Sequence, residues 1–396
     1  MIVDKMNILI KYGELTLKGK NVNVFKNKLC DNIKVALEEF DYTIKQAYSR
    51  LYIEINNTDF EKIKFKLLTV YGIHSFAPFI SCNNEMSVIK ETALDYGSFD
   101  DYDTFKVETK RKNKRFEPNS IEISKEVGGY IKKYSKMNVD VHNPDLKIKV
   151  EIRNNECLIY FDEYKGLGGL PVGISGKSLL LLSGGIDSPI AGYLINKRGI
   201  KFDAIHFTSP PYTAQESVDK VINLCNKLVL YNGEFKLYLV KFTKVQESLL
   251  SISNDSYYIT IMRRIMYRIS DMLCKEHNYQ AIINGDSIGQ VASQTLESMK
   301  VVDSLISYPI IRPLAIFDKS DIIKISKNIG TYDISILDFK DCCTTFIPKS
   351  PIIKPKIGLC EKLEKEIKLE NLIIDCIENI EVLSITTSNK KFSKLL

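Results

Sequence analysis

Four consecutive leucines, Leu179 to Leu182, run straight into Ser183-Gly184-Gly185-Ile186-Asp187-Ser188. An unbroken apolar run of this kind fits a strand covered on both faces, hence a parallel sheet. Asp187 and Ser188 then open a helix, which puts the glycines in a strand-to-helix turn. Two glycines let the backbone turn sharply and bring its N–H groups close to an anion. The helix N-terminus behind them adds partial positive charge. Ser183 and Ser188 can donate to phosphate oxygens. Asp187 cannot bind phosphate directly, so it suits orienting Mg²⁺ or the loop. The carboxyl edge of a strand is where open α/β sheets bind ligands. Gly176-Lys177-Ser178, just upstream, imitates a different phosphate loop. That loop needs a glycine five places earlier, where Pro171 stands, and it leads into a helix rather than a strand.

The pattern around the loop agrees. Strand-like segments at 178–183, 202–208, 235–242 and 280–286 alternate with helical ones at 187–198, 214–230 and 255–277, as a parallel sheet covered on both faces requires. The first 165 residues read differently, as two small α+β units. Strands are expected at 7–11, 42–48 and 50–55, with helices from Phe25 to Leu37 and from a Thr58 cap to Tyr71. The second unit has strands at 76–81, 104–112, 146–153 and 156–163, and helices at 85–94 and 120–134. Asn154-Asn155 suits a hairpin turn with positive φ. Gly166, Gly168, Gly169, Pro171 and Gly173 read as a flexible connector. The expected divisions are 1–60, 61–165, a linker at 166–176, and 177–396.

Charge is concentrated in the second unit. From Thr104 to Lys136 there are ten Lys/Arg against four acids, an excess equal to the whole net charge of +6. Lys110, Arg111, Lys112, Lys114 and Arg115 form its core, with Asn113 and Phe116 interleaved, a composition suited to nucleic-acid phosphates. Apolar residues at 44% and charged residues at 26% exclude disorder, collagen and coiled coil as whole-chain descriptions. No run approaches a spanning helix and the N-terminus is no signal peptide, so a cytoplasmic protein without membrane contact is expected. Nine dispersed cysteines, with no CxxC pair, argue against a disulfide framework and a zinc ribbon. Only Cys342-Cys343 is unusual.

The Ser183–Ser188 segment resembles the PP-loop of the ATP pyrophosphatases, which release pyrophosphate from ATP and leave an adenylated substrate. Further segments are similar to one family, the tRNA uridine 4-sulfurtransferases (4-thiouridine synthases). These are the segment from Lys11-Tyr-Gly-Glu to Asn21, Phe105 to Arg111, Val139 to Asp145, Asn284 to Thr295, Arg312-Pro-Leu314 and the Cys342-Cys343 loop. Their joint occurrence in order, from about residue 7 to about residue 355, is more specific than any one alone. The resemblance implies an α/β chain of three parts. They are an N-terminal ferredoxin-like α+β domain, a THUMP RNA-binding α+β domain, and a C-terminal doubly wound parallel-sheet PP-loop ATP pyrophosphatase domain.

Residue by residue, the resemblance places ATP against Leu181, Leu182, Ser183, Gly184, Gly185, Ser188, His206, Phe207, Arg263, Gly285 and Gln294. Asp187 and one of Cys342 and Cys343 would be catalytic. Arg264 stands beside Arg263 and is open to the same role. The reaction implied is ATP- and Mg²⁺-dependent transfer of sulfur to a tRNA uridine, at position eight, through an adenylated base and a cysteine persulfide. Which of Cys342 and Cys343 carries the sulfur is left open by spacing. The tail after Pro351 looks helical, and Cys360 and Cys376 in it read as structural. It is too short for the rhodanese domain of longer relatives. A cysteine desulfurase is therefore expected to supply sulfur directly, and whether the protein also serves thiamine thiazole synthesis is left open. The missing CxxC leads to an expectation of no iron–sulfur cluster. Homodimer formation is left open. Two other readings remain, a small-molecule PP-loop ligase or amidotransferase and a non-enzymatic tRNA-binding protein.

Overall fold

The computed structural model describes residues 5–47, 50–56, 60–96, 99, 101–161, 163–339, 346 and 348–387. The chain divides into two compact units, Met1–Gly169 and Leu170–Leu396.

One sheet runs through the whole first unit. Its strand order is Tyr42–Gln46, Arg50–Asn56, Lys5–Lys11, Ser75–Cys82, Cys157–Tyr160, Leu146–Ile152, Thr104–Arg111 and Asn138–Val139, with Tyr164–Lys165 pairing beside the start of Ser75–Cys82. Ser75–Cys82 is the joint. It pairs antiparallel with Lys5–Lys11 on one side and with Cys157–Tyr160 on the other. Helix Val22–Ala36 carries Leu29 and Ile33 into the core, four residues apart on one face. Helix Ser120–Tyr134 starts at a full capping box, in which the Asn119 side chain accepts from Ile121 and Glu122 and Glu122 accepts from the Asn119 N–H. Its Ile123, Val127 and Ile131 pack on Phe105, Ile148 and Val150 of the sheet.

Asn154-Asn155 does turn the chain, but without the expected positive φ, since Asn278 is the one described non-glycine residue that has it. Asn84 pins the turn instead, donating to the carbonyls of Arg153 and Asn154 at 2.8 and 3.2 Å. The glycines after it are also held rather than loose. The Gly166 N–H donates to His74 O and the Gly168 N–H to Ile73 O, and a Cβ on Gly166 would meet Ile73 O at 2.3 Å.

The second unit is a six-stranded sheet in the order Ile310–Ile311, Ile282–Ile283, Lys177–Leu181, Lys201–Thr208, Phe235–Lys241, Glu381–Ile385. The first five strands are parallel, and Glu381–Ile385 adds antiparallel at the edge. The tail is thus not purely helical. Helices Ile357–Glu364 and Leu369–Glu378 are followed by this strand. Two cores flank the sheet. Leu180, Phe202, Ala204 and Leu237 pack beneath helices Asp187–Asn196 and Gln215–Asn232. Leu179, Ile205, Tyr238 and Val240 pack on the other side with the long helix Tyr258–His277. That long helix ends on Asn278 at φ 56°, a left-handed cap. No described helix is long and apolar enough to cross a membrane.

Candidate active site

The glycine-rich loop is tied to its own helix. The Ser183 N–H donates to Ser188 Oγ at 2.9 Å, the two serine hydroxyls are 3.1 Å apart, and the Gly185 N–H reaches Ser183 Oγ at 3.3 Å. Neither Gly184 nor Gly185 has positive φ, so small size rather than unusual backbone is what they supply. Gly285 shows the same economy. A Cβ there would lie 2.7 Å from Ser188 N and 2.8 Å from Asp187 C. The loop after strand Ile282–Ile283 can therefore lie directly against the start of the helix.

A cavity of about 520 Å³ opens beside this loop. One wall holds Ser183, Asp187 and Ser188, and another holds the apolar Leu181, Leu182, Phe207, Met262 and Met266. His206, Arg263, Gly285 and Gln294 line it as well, so these predicted residues converge on one cavity. Gly184 and Gly185 lie in the same loop. His206 is 4% exposed, and its Nδ1 donates to the Leu182 carbonyl at 2.8 Å, joining the two strand ends. Phe207 is braced edge-on by Phe242 at 5.1 Å.

The adjacent arginines differ in burial. Arg264 is fully buried and grips Glu364, 2.5 Å from Nε. Arg263 lines the cavity, and its guanidinium is already engaged, donating to Ser293 O and to Asp286, both at 2.6 Å. Burial alone disfavours its charge, but Asp286 and Tyr267 outweigh that and raise its pKa. Asp286 also accepts from Asn284 at 2.7 Å and from Gln294 at 3.3 Å.

Two partners of Asp187 were not legible in the sequence. Lys319 Nζ donates to Asp187 Oδ1 at 2.5 Å, and Gln290 Nε2 donates to Oδ2 at 3.2 Å. Lys319 opens the helix Lys319–Asn328 and belongs to no local motif. Asp286 lies inside the quoted Asn284–Thr295 segment, yet its role as a hub needs the fold.

Cys342 and Cys343 lie outside the described residues. Cys360 and Cys376 are buried, and desolvation pushes their thiols up to about 11 and about 12, which makes them poor nucleophiles.

In the first unit, the basic cluster occupies the end of strand Thr104–Arg111 and the turn after it. Lys110, Lys112, Lys114 and Arg115 are exposed. Arg111 is different. Its Nη1 donates to the carbonyls of Phe116 and Pro118 and so shapes the turn that presents the others.

Three family models match the chain. They are described as the ThiI ferredoxin-like domain over residues 7–77, the THUMP domain over 87–162, and thiamine biosynthesis protein (ThiI) over 173–369. A relative from Moorella thermoacetica named "Probable tRNA sulfurtransferase" is 42% identical over 96% of this chain and 97% of its own length. One of the same name from Bacillus licheniformis is 43% identical, over 96% of each. A crystal structure of a 4-thiouridine synthetase–RNA complex with bound ATP matches with a TM-score of 0.88 and 35% identity, covering 96% of this chain and 99% of that one. The full-length relatives and the three matched models, taken in order along the sequence, establish that this chain belongs to the tRNA sulfurtransferase (ThiI) family.

Proposed function

We propose that this protein is an ATP-dependent tRNA sulfurtransferase that converts a tRNA uridine, at position eight by family resemblance, to 4-thiouridine. The observation that carries the reading is the cavity joining the Ser183–Ser188 loop to the apolar ends of two parallel strands. Leu182, Phe207 and Met262 suit the face of an adenine. The loop N–H groups and the helix behind them suit its phosphates. Lys319 adds the cation that a leaving pyrophosphate needs.

The uridine O4 attacks the α-phosphate in line, its bond to phosphorus forms, and pyrophosphate leaves. The base then carries AMP at C4, a far better leaving group than oxide. The terminal sulfur of a persulfide on Cys342 or Cys343 attacks C4 and AMP departs, leaving the base joined to the cysteine by an S–S bond. A second thiol attacks the cysteine sulfur and breaks that bond, which leaves 4-thiouridine on the tRNA and a disulfide that an external thiol reductant returns to the dithiol. Among the described residues no three acidic, histidine or cysteine side chains form a metal cluster. Mg²⁺ still fits, because it is commonly held by one or two carboxylates together with phosphate oxygens, and Asp187 offers one beside the phosphate loop. Bound there it would offset charge on the phosphates. Arg263 is engaged with Asp286 and Ser293, so we assign it to shaping the cavity rather than to gripping phosphate.

Lys110, Lys112, Lys114 and Arg115 would hold the tRNA backbone, and a cysteine desulfurase would load the persulfide. Pyrophosphate release from ATP, measured with and without tRNA, tests the reading, with mass spectrometry of the product nucleosides. Release strictly dependent on tRNA, with 4-thiouridine formed when a desulfurase is present, is expected. Release without tRNA but with a small amide or carboxylate acceptor would favour a small-molecule ligase.

A further inference from the structure

Asp286 is 8% exposed, and its carboxylate gathers Arg263 Nη2, Asn284 Nδ2 and Gln294 Nε2. A carboxylate only accepts, so it dictates which end of the Gln294 amide faces it, namely the NH₂. The amide oxygen is thereby fixed on the other side. Gln294 Oε1 is buried and has no hydrogen-bond partner among the described residues. Gln294 lines the nucleotide cavity. Other polar groups of that wall are engaged, Asn284 with Tyr267 and Asp286, Arg263 with Asp286 and Ser293, and His206 with Leu182. A buried acceptor without a donor is costly, and such a group in a binding wall points to a donor on the ligand.

We propose that Asp286 is a positioning residue that locks Gln294 Oε1 as the acceptor for the exocyclic amino group of adenine, so that the site selects ATP over nucleotides lacking a donor there. This deepens the nucleotide reading above and rests on it. Phosphate carries no donor, so it cannot satisfy Oε1. The apolar Leu182, Phe207 and Met262 in the same cavity suit a base. Guanine presents a carbonyl oxygen where adenine presents its amino group, and two facing acceptors leave both unpaired. A glutamine free to turn over would offer its NH₂ to guanine instead. The Asp286 carboxylate removes that freedom.

The test is equilibrium binding of ATP, GTP and purine riboside triphosphate to the full-length protein. Purine riboside triphosphate differs from ATP only in lacking the amino group. The wild type is expected to bind ATP about ten-fold more tightly than purine riboside triphosphate. Gln294→Met should bring the two to near equality by weakening ATP alone. Asp286→Asn should also narrow that ratio and raise GTP relative to ATP. Should that variant not fold, Asp286→Glu keeps a negative charge for Arg263 while displacing it by one methylene, and the same narrowing is expected. A purely structural role would weaken all three nucleotides together and leave the ratios alone. Equal wild-type affinity for ATP and purine riboside triphosphate overturns the inference while leaving the nucleotide site intact. So does an unchanged ratio in a folded Asp286 variant. A wild type that binds none of the three overturns the nucleotide reading itself.

Discussion

Asp187 and Lys319 are 132 residues apart in sequence and meet at 2.5 Å beside the phosphate loop. Lys319 is 41% and Asp187 22% exposed at the side chain, so the pair is open to solvent rather than sealed in the core. An ion pair of this exposure contributes little to stability. Its value lies in holding a cation and a carboxylate where phosphates would arrive. Lys319→Met and Asp187→Asn should each lower tRNA-dependent pyrophosphate release by about 10²–10³-fold, the cost typical of removing one charge-stabilising group. Melting temperature and tRNA affinity should change little, because the basic cluster belongs to the other unit. Filter binding of tRNA beside a pyrophosphate assay reads both.

The basic cluster gives a quantitative expectation. Four of its five cations are exposed, whereas Arg111 is spent on the carbonyls of Phe116 and Pro118. Replacing Lys110, Lys112, Lys114 and Arg115 with Ala should reduce the log–log salt slope of tRNA binding by roughly three, at ~0.7–0.9 per phosphate contact. Arg111→Ala alone should disturb the turn and lower the affinity by more than the loss of one contact explains. A titration across salt concentrations separates the two effects.

Local features of the site were legible and distant ones were not. The Leu179–Leu182 run and the Ser183–Ser188 loop are contiguous, so their strand–turn–helix geometry follows from adjacent residues. Gly285 lines the cavity, but a second demand on it, room for the backbone of Asp187 and Ser188, was not legible in the sequence. Nothing near residue 285 announces that neighbour. The edge strand Glu381–Ile385 was missed because its side chains are mostly exposed, with only Ile385 buried, so no apolar alternation marks it. Its pairing with Phe235–Lys241 is decided by an available sheet edge.

Glu163 should make the first unit acid-sensitive. Burial pushes its carboxyl up, but hydrogen bonds from Lys11, Lys149 and Ser75 outweigh this and bring its pKa to about 2. A folded pKa below the unfolded one means that the stabilisation is complete above about pH 4.5 and is lost as pH falls towards 2. The side chain is 19% exposed, so the full contribution is at most about 3 kcal/mol. Denaturant melts of the wild type between pH 6 and pH 3 should show this loss. Glu163→Gln should be less stable at pH 6 and show a flatter decline.

Sulfur delivery can be separated from activation. A Cys342→Ser, Cys343→Ser double variant should still bind ATP and tRNA, since neither thiol belongs to the Ser183–Ser188 loop or to the basic cluster. It should still release pyrophosphate in the presence of tRNA, because that step needs only the uridine oxygen and the α-phosphate in line. It should form no 4-thiouridine with a desulfurase as donor, because no thiolate remains to carry the persulfide. Sulfide at high concentration should restore product, since it attacks C4 without a carrier. The single variants then assign the role, the carrier being the cysteine whose loss alone stops desulfurase-dependent transfer. Buried Cys360 and Cys376, with their raised thiol pKa values, are poorly suited to substitute. Normal desulfurase-dependent thiolation by the double variant would therefore refute a protein persulfide at this loop and direct attention to sulfur passing straight from the desulfurase to the adenylated base.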